Sequence, residues 1–88
     1  MNKIQIKKRF KKSLEIQNLM SDARALLEAN HKERALQKML QFLQVNPLDA
    51  SVHFDIADLY RSILKENKSK QDYLEEAILH FEQVIKLN

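Results

Sequence analysis

The 88-residue chain has no glycine, no cysteine and no tryptophan, and its only proline is Pro47. Each absence excludes something. Glycine is the residue that tight hairpin turns and left-handed backbone positions favour most, so strands joined by short turns are not expected. A glycine-rich phosphate loop is excluded outright. Without cysteine neither disulfides nor thiolate metal sites can form, which fits a reducing compartment. No apolar run approaches the roughly 20 residues that span a bilayer, and the basic amino terminus is not followed by the apolar stretch of a secretory signal. The expectation is a soluble, cytoplasmic protein.

What the chain does contain suits a folded helical domain. Hydrophobic residues make up 44% and charged residues 31%, too apolar for a disordered chain. At this length one domain is expected, burying about 60 to 65% of the surface of the unfolded chain, so its stability should be modest. The net charge is only +3, but Lys3, Lys7, Lys8, Arg9, Lys11 and Lys12 all precede the first acid, Glu15. Residues 1–15 therefore read as a basic amphipathic helical extension.

Beyond it, apolar residues recur at helical spacing. Ile16, Leu19, Met20, Ala23, Leu26 and Leu27 share a face and predict a helix ending near Asn30. A second helix is predicted from Lys32 to Val45, stopped by Asn46-Pro47 because proline lacks an amide and disfavours helical geometry in the residue before it. A third is predicted from Ala50 to Lys65 and a fourth from Tyr73 to Leu87, with the polar run from Glu66 to Asp72 as a mobile loop. The apolar sectors of the second and third helices cover roughly 220°, those of the first and fourth about 120°. Middle helices touch neighbours on two sides, so this pattern predicts a linear stack in chain order. Tyr60 is followed by Ile63 and Leu64 before any breaker, so the third helix should run on and pack on the start of the fourth near Leu74.

The two predicted hairpins, 16–47 and 48–88, also resemble each other. Ala23 and Leu26 are followed by Ala35, Met39, Phe42 and Asn46-Pro47; Ala57 and Tyr60 are followed by Ala77, Phe81 and Val84. This arrangement is similar to the tetratricopeptide repeat, in which small residues let paired helices approach and proline ends the second helix. The segments Asn46-Pro47-Leu48-Asp49-Ala50, Ile56-Ala57-Asp58-Leu59-Tyr60 and Glu76-Ala77-Ile78 with Phe81 carry the likeness most specifically. Two departures stand out: about seven extra residues between Tyr60 and Ala77, and alanines, Ala23 and Ala57, in place of the family's usual glycine. The resemblance implies an all-α fold of antiparallel helical hairpins stacked as a short solenoid, with four helices and an extended first one.

It also implies a non-catalytic protein–protein interaction module, an adaptor or chaperone-like protein without cofactor, holding a protein or peptide on the surface formed by the first helix of each repeat. Carried over by position, that groove is Met20, Arg24 and Leu27, with Gln17 and Glu28, from the first repeat. The second contributes Phe54, Asp58 and Arg61, with Ser51 and Ser62. The carboxylate clamp of some relatives is missing, since Met20, Arg24 and Asp55 stand at its positions.

Catalysis has little to stand on. His31, His53 and His80 occupy a turn and two helices without metal-ligand spacing, and read as partly exposed side chains; His53 and His80 meet only if their helices present the same side. The serines lack a recognisable base partner. A separate stripe, Ile6, Phe10 and Leu14, recurs every four residues about 140° away from the stripe of Leu19, Ala23 and Leu26. Either the helix bends near Ser13, or this face meets a second copy, in a homodimer, or another partner, the alternative being that it folds back as a cap over the first repeat. The alternative function is a nucleic-acid-associated regulator using the basic arm on phosphates. Phe10 is the only aromatic there for stacking and no groove-entering motif is recognisable, so nucleic acid ranks below a protein partner, and a membrane below that.

Overall fold

The computed structural model describes the backbone of residues 3–88 and the side chains of residues 14–88. It contains four helices, α1 (Lys3–Glu28), α2 (Lys32–Val45), α3 (Ala50–Glu66) and α4 (Asp72–Leu87), and no strand among the described residues. α1 packs on α2, α2 on α3 and α3 on α4, and among the described residues no other pair of helices approaches closely along its backbone. The side chains of Ile6 and Phe10, two of the three residues of the expected amino-terminal stripe, lie outside the described residues; Leu14, the third, is exposed.

The turns show how a chain without glycine changes direction. Asn30 sits in the left-handed region with φ 63°, the conformation asparagine tolerates best after glycine. Around it His31 N–H donates to the Leu26 carbonyl at 2.8 Å and Asn30 N–H to that of Leu27 at 3.0 Å. This pair of bonds satisfies carbonyls that the end of α1 would otherwise leave open. At the next turn the α2 ladder ends at Asn46-Pro47, where Asn46 N–H still reaches the Phe42 carbonyl. Asp49 then caps α3: its carboxylate accepts from Val52 N–H at 3.2 Å and from the Ser51 hydroxyl at 2.7 Å. The Ser51 bond is the main reason that its carboxyl lies below the usual carboxylate range, with the backbone amides of Val52 and Ser51 adding to it against the opposing effect of burial. The third connection, residues 67–71, is built on Asn67, whose side-chain oxygen accepts from the amide and hydroxyl of Ser69.

The core lies along the middle of the stack. α3 buries Val52, His53, Ile56, Ala57, Leu59, Tyr60 and Ile63, and α2 buries Ala35, Leu36, Met39 and Leu43. The outer helices contribute Ala23 and Ala77 as their buried described residues, with Met20, Leu26, Tyr73 and Phe81 packed against the rim. Leu36 and Ile56 are the largest side chains with almost no exposure, each stabilising the fold by about 1.5 to 3 kcal/mol. One alanine per helix, Ala23, Ala35, Ala57 and Ala77, is buried to 3% exposure or less, where a larger side chain would push neighbouring helices apart.

The end of α3 packs on the start of α4 near Leu74, as expected, but the covering side chain is the neighbouring one. Leu74 is about half exposed, and the residue that closes over the core is Tyr73. Its ring meets Tyr60 edge-on with centroids 4.9 Å apart. One residue along a helix is a rotation of about 100°, which carries Leu74 off the face that Tyr73 turns toward α3.

Candidate functional site

Among the described residues α1 and α3 do not pack on each other, because α2 lies between them, and the gap is an open hollow of about 330 Å³. Met20, Arg24 and Leu27 form its α1 wall, and Asp55, Asp58, Leu59 and Ser62 its α3 wall. Lys32 and Met39 of α2 form the floor. The wall residues on α1 recur at spacings of four and three, so one helical face supplies them all.

Of the six groove residues expected from the sequence, Met20, Arg24, Leu27 and Asp58 meet in this hollow. Phe54 and Arg61 do not. Phe54 turns toward α4, its ring edge-on to Phe81 with centroids 5.8 Å apart, and lines a second hollow of about 370 Å³ with Ser51, Asp55 and Val84. The cause is its azimuth: on α3 it lies on the side facing α4, away from the α1 side marked by Leu59. Arg61 donates to Asp58 at 2.9 Å beside Ser62 and Lys65. Asp55 borders the first two hollows and Asp58 borders the first and third, so the three hollows lie side by side along α3.

Charges in the hollow are arranged by wall. Asp55 has its carboxyl pushed above the ordinary carboxylate range, chiefly by burial, while the Arg24 guanidinium pulls it back and Asp58 adds repulsion. Arg24 acts from beyond contact distance, since among the described residues it forms no ion pair with Asp55. Lys32 is the residue that sequence reasoning missed. Its ammonium donates to the Ser62 hydroxyl at 2.8 Å and pairs with Glu66. A lysine in the first turn of a helix faces the positive end of the macrodipole, and the contact with the end of α3 offsets that. Nothing local in the sequence marks it, since its partners are 30 and 34 positions away.

Of the histidines, His31 is exposed and His80 partly so, as expected, while His53 departs from expectation. His53 is only 7% exposed, and its Nδ1 lies 2.9 Å from His80 Nδ1. Its Nε2 lies 2.7 Å from the Pro47 carbonyl oxygen. A carbonyl can only accept, so Nε2–H donates to Pro47 and, in neutral His53, Nδ1 accepts the Nδ1–H of His80. Burial, and next the charge of His53, push the His80 imidazole below its ordinary value, with Glu76 opposing them. The pair thus ties α4, α3 and the α2–α3 turn together, with His53 buried and His80 partly exposed. Among the described residues no three His, Cys, Asp or Glu side chains gather to hold a metal ion. Nor is any described helix long and apolar enough to cross a membrane.

Set against protein-family models, curated proteins and solved structures, the chain matches none.

Proposed function

We propose that this chain is a non-catalytic interaction module of tetratricopeptide-repeat type, acting in the cytoplasm and holding a segment of a partner protein in the hollow between α1 and α3. The observation that carries the reading is the convergence of Met20, Arg24 and Leu27 with Asp55, Asp58 and Leu59 across a gap that two non-adjacent helices leave open. The buried alanines, one per helix, support the repeat reading, because they stand where paired helices of such repeats need small side chains.

The chemistry of the lining selects the kind of segment. Met20 and Leu27 offer an apolar wall backed by the buried Met39 and Leu59, and a methionine such as Met20 adapts its shape to different anchors. Arg24 and Lys32 on one side and Asp55 and Asp58 on the other suit a segment with one or two apolar anchors flanked by charges of both signs. The nucleic-acid alternative rests on the six cations before Ser13 alone.

Selection of a displayed peptide library on the folded chain, followed by amide chemical-shift mapping of the best peptide, tests the reading. Shifts centred on Met20, Arg24, Leu27, Lys32 and Asp58, abolished by Leu27→Asp with the helical signal intact, are expected. Shifts centred elsewhere would sink the proposal. Binding of duplex DNA or RNA that weakens steeply with salt, with no peptide selected, would favour the alternative.

A further inference from the structure

α4 carries an apolar stripe that no described element covers. Leu74, Ile78, Phe81 and Ile85 recur at spacings of four, three and four, which sets them within about 60° of one another around the helix. Leu74 and Ile78 are close to half exposed and Ile85 is 77% exposed, while Phe81 anchors the stripe against Phe54. Among the described residues α3 is the helix α4 packs along, with the Tyr73–Glu33 bond as its side-chain link to α2. The rim of the stripe is acidic: Glu75 and Glu82 are exposed and have no ion-pair partner among the described residues. Along the whole helix Asp72, Glu75, Glu76 and Glu82 stand against Lys86 as the one lysine or arginine. Single exposed leucines are ordinary, but a contiguous stripe with a charged rim is what an interface looks like before its partner arrives.

The same chain carries a segment of complementary character. Residues 3–12 hold six cations and no acid, and Ile6, Phe10 and Leu14 recur every four residues among them. We propose that the α4 stripe is the docking surface for the amino-terminal segment of a second copy of this chain. Ile6, Phe10 and Leu14 then pack along Leu74, Ile78, Phe81 and Ile85, and Lys7 and Lys11 face Glu75 and Glu82.

Charge chooses this occupant over a second α4, which would set acid against acid across the contact. Length agrees with it: Ile6 to Leu14 spans about 12 Å of helix and Leu74 to Ile85 about 16 Å. The position of the segment agrees as well. α1 has 26 residues against 14 in α2, so antiparallel pairing with α2 occupies only part of α1. α1 and α4 also stand at opposite ends of the packing order, which directs the segment toward another molecule. One helix-on-helix contact of two or three turns falls short of the roughly 1,000 Å² that a stable interface buries. Two such contacts about a two-fold axis double it and close the assembly as a dimer.

Sedimentation equilibrium on the full chain tests this. The expected mass at high micromolar concentration is twice that of the 10.4 kDa chain. Phe10→Asp, Ile78→Glu and Ile85→Glu should each return the monomer with the helical circular dichroism unchanged. Ile85 is so exposed that its replacement does not threaten the fold. Lys7→Glu with Lys11→Glu, and separately Glu75→Lys with Glu82→Lys, should each weaken self-association about tenfold or more, and the four changes in one chain should restore it. Three results would overturn the proposal. The chain could sediment as a monomer at every concentration, which includes the case of a segment folded onto its own α4. The dimer could survive Phe10→Asp, which would point to a contact between α4 faces. Or the combined charge reversal could fail to recover what each half lost.

Discussion

His53 and His80 share one proton position, with their Nδ1 atoms 2.9 Å apart and the outer nitrogen of His53 committed to the Pro47 carbonyl. Tyr60 stacks on the far ring, its centroid 6.0 Å from that of His80. Two fully charged imidazoles cannot occupy this geometry, since both Nδ1 atoms would then be donors facing each other.

That constraint makes stability depend on pH with a definite sign. The native His80 value lies below 6.5, first through burial, so the unfolded chain takes up the proton before the native one does. The stabilisation is therefore complete above the unfolded value and is lost as pH falls from there through the native value, with a slope of at most about 1.4 kcal/mol per pH unit for one proton. Urea midpoints measured from pH 8 down to pH 5 should fall in the wild type. His80→Gln should flatten the curve, and an equally steep curve in that variant would contradict the assignment.

Asn30 provides a second test. Its φ of 63° costs any residue with a Cβ something, and asparagine less than most. Asn30→Gly should raise stability by about 0.5 to 1 kcal/mol, and Asn30→Ala should lower it by about 1 kcal/mol. Thermal midpoints would then move by about 4 to 8 °C per kcal/mol at this size. If both variants melt with the wild type, the left-handed turn is not the conformation in solution.

The Tyr73 hydroxyl donates to the Glu33 carboxylate at 2.8 Å, tying the start of α4 to the start of α2 across α3. The bond keeps the phenol protonated, and its pKa is pushed up to about 12, first by this bond and then by burial. Tyr60 also lies above its usual value, mainly through burial. Tyrosine ionisation followed by ultraviolet difference spectra should therefore begin well above pH 10 in the native chain. With a raised folded value, this contribution is full below pH 10 and is lost as pH climbs toward 12. Tyr73→Phe should cost about 1 kcal/mol at neutral pH, the worth of one hydrogen bond. Normal titration at pH 10 under native conditions would remove the bond from the account.

Four helices were readable because each is punctuated by chemistry that periodicity alone does not need. Pro47 and Asp49 mark one turn, Asn30 another, and the polar run around Asn67 the third, so the expected boundaries fall within two residues of those found. Four of the six residues expected to line a groove, Met20, Arg24, Leu27 and Asp58, line the hollow. Met20, Arg24 and Leu27 share a face by spacing, which a sequence displays. Phe54 and Arg61 were misplaced because their fate depends on the rotation of α3 between two neighbours, a few tens of degrees that no residue count fixes. Lys32 and the His53–His80 pair were illegible for a related reason. Each is a contact between residues about 30 positions apart, made only after the helices have docked.

Lys32 gives the last prediction, because it separates a role in binding from a role in folding. Its ion pair with Glu66 is largely solvent-facing on the Glu66 side, and such pairs contribute about 0 to 1 kcal/mol. Against that stands the macrodipole, which disfavours a cation at the start of α2 by a few tenths of a kcal/mol or more. Lys32→Met should therefore leave thermal stability almost unchanged, within about 0.5 kcal/mol. In the groove the same change removes one of two cations, leaving Arg24 against Asp55 and Asp58. A bound segment that places a carboxylate near the floor should lose affinity by about tenfold, the weight of one charge-assisted hydrogen bond. A segment carrying only apolar and basic side chains should bind as well as before, or better. Titration calorimetry with paired peptides differing in that one carboxylate measures the difference, and equal losses for both peptides would show that Lys32 supports the wall of the groove and does not read the ligand.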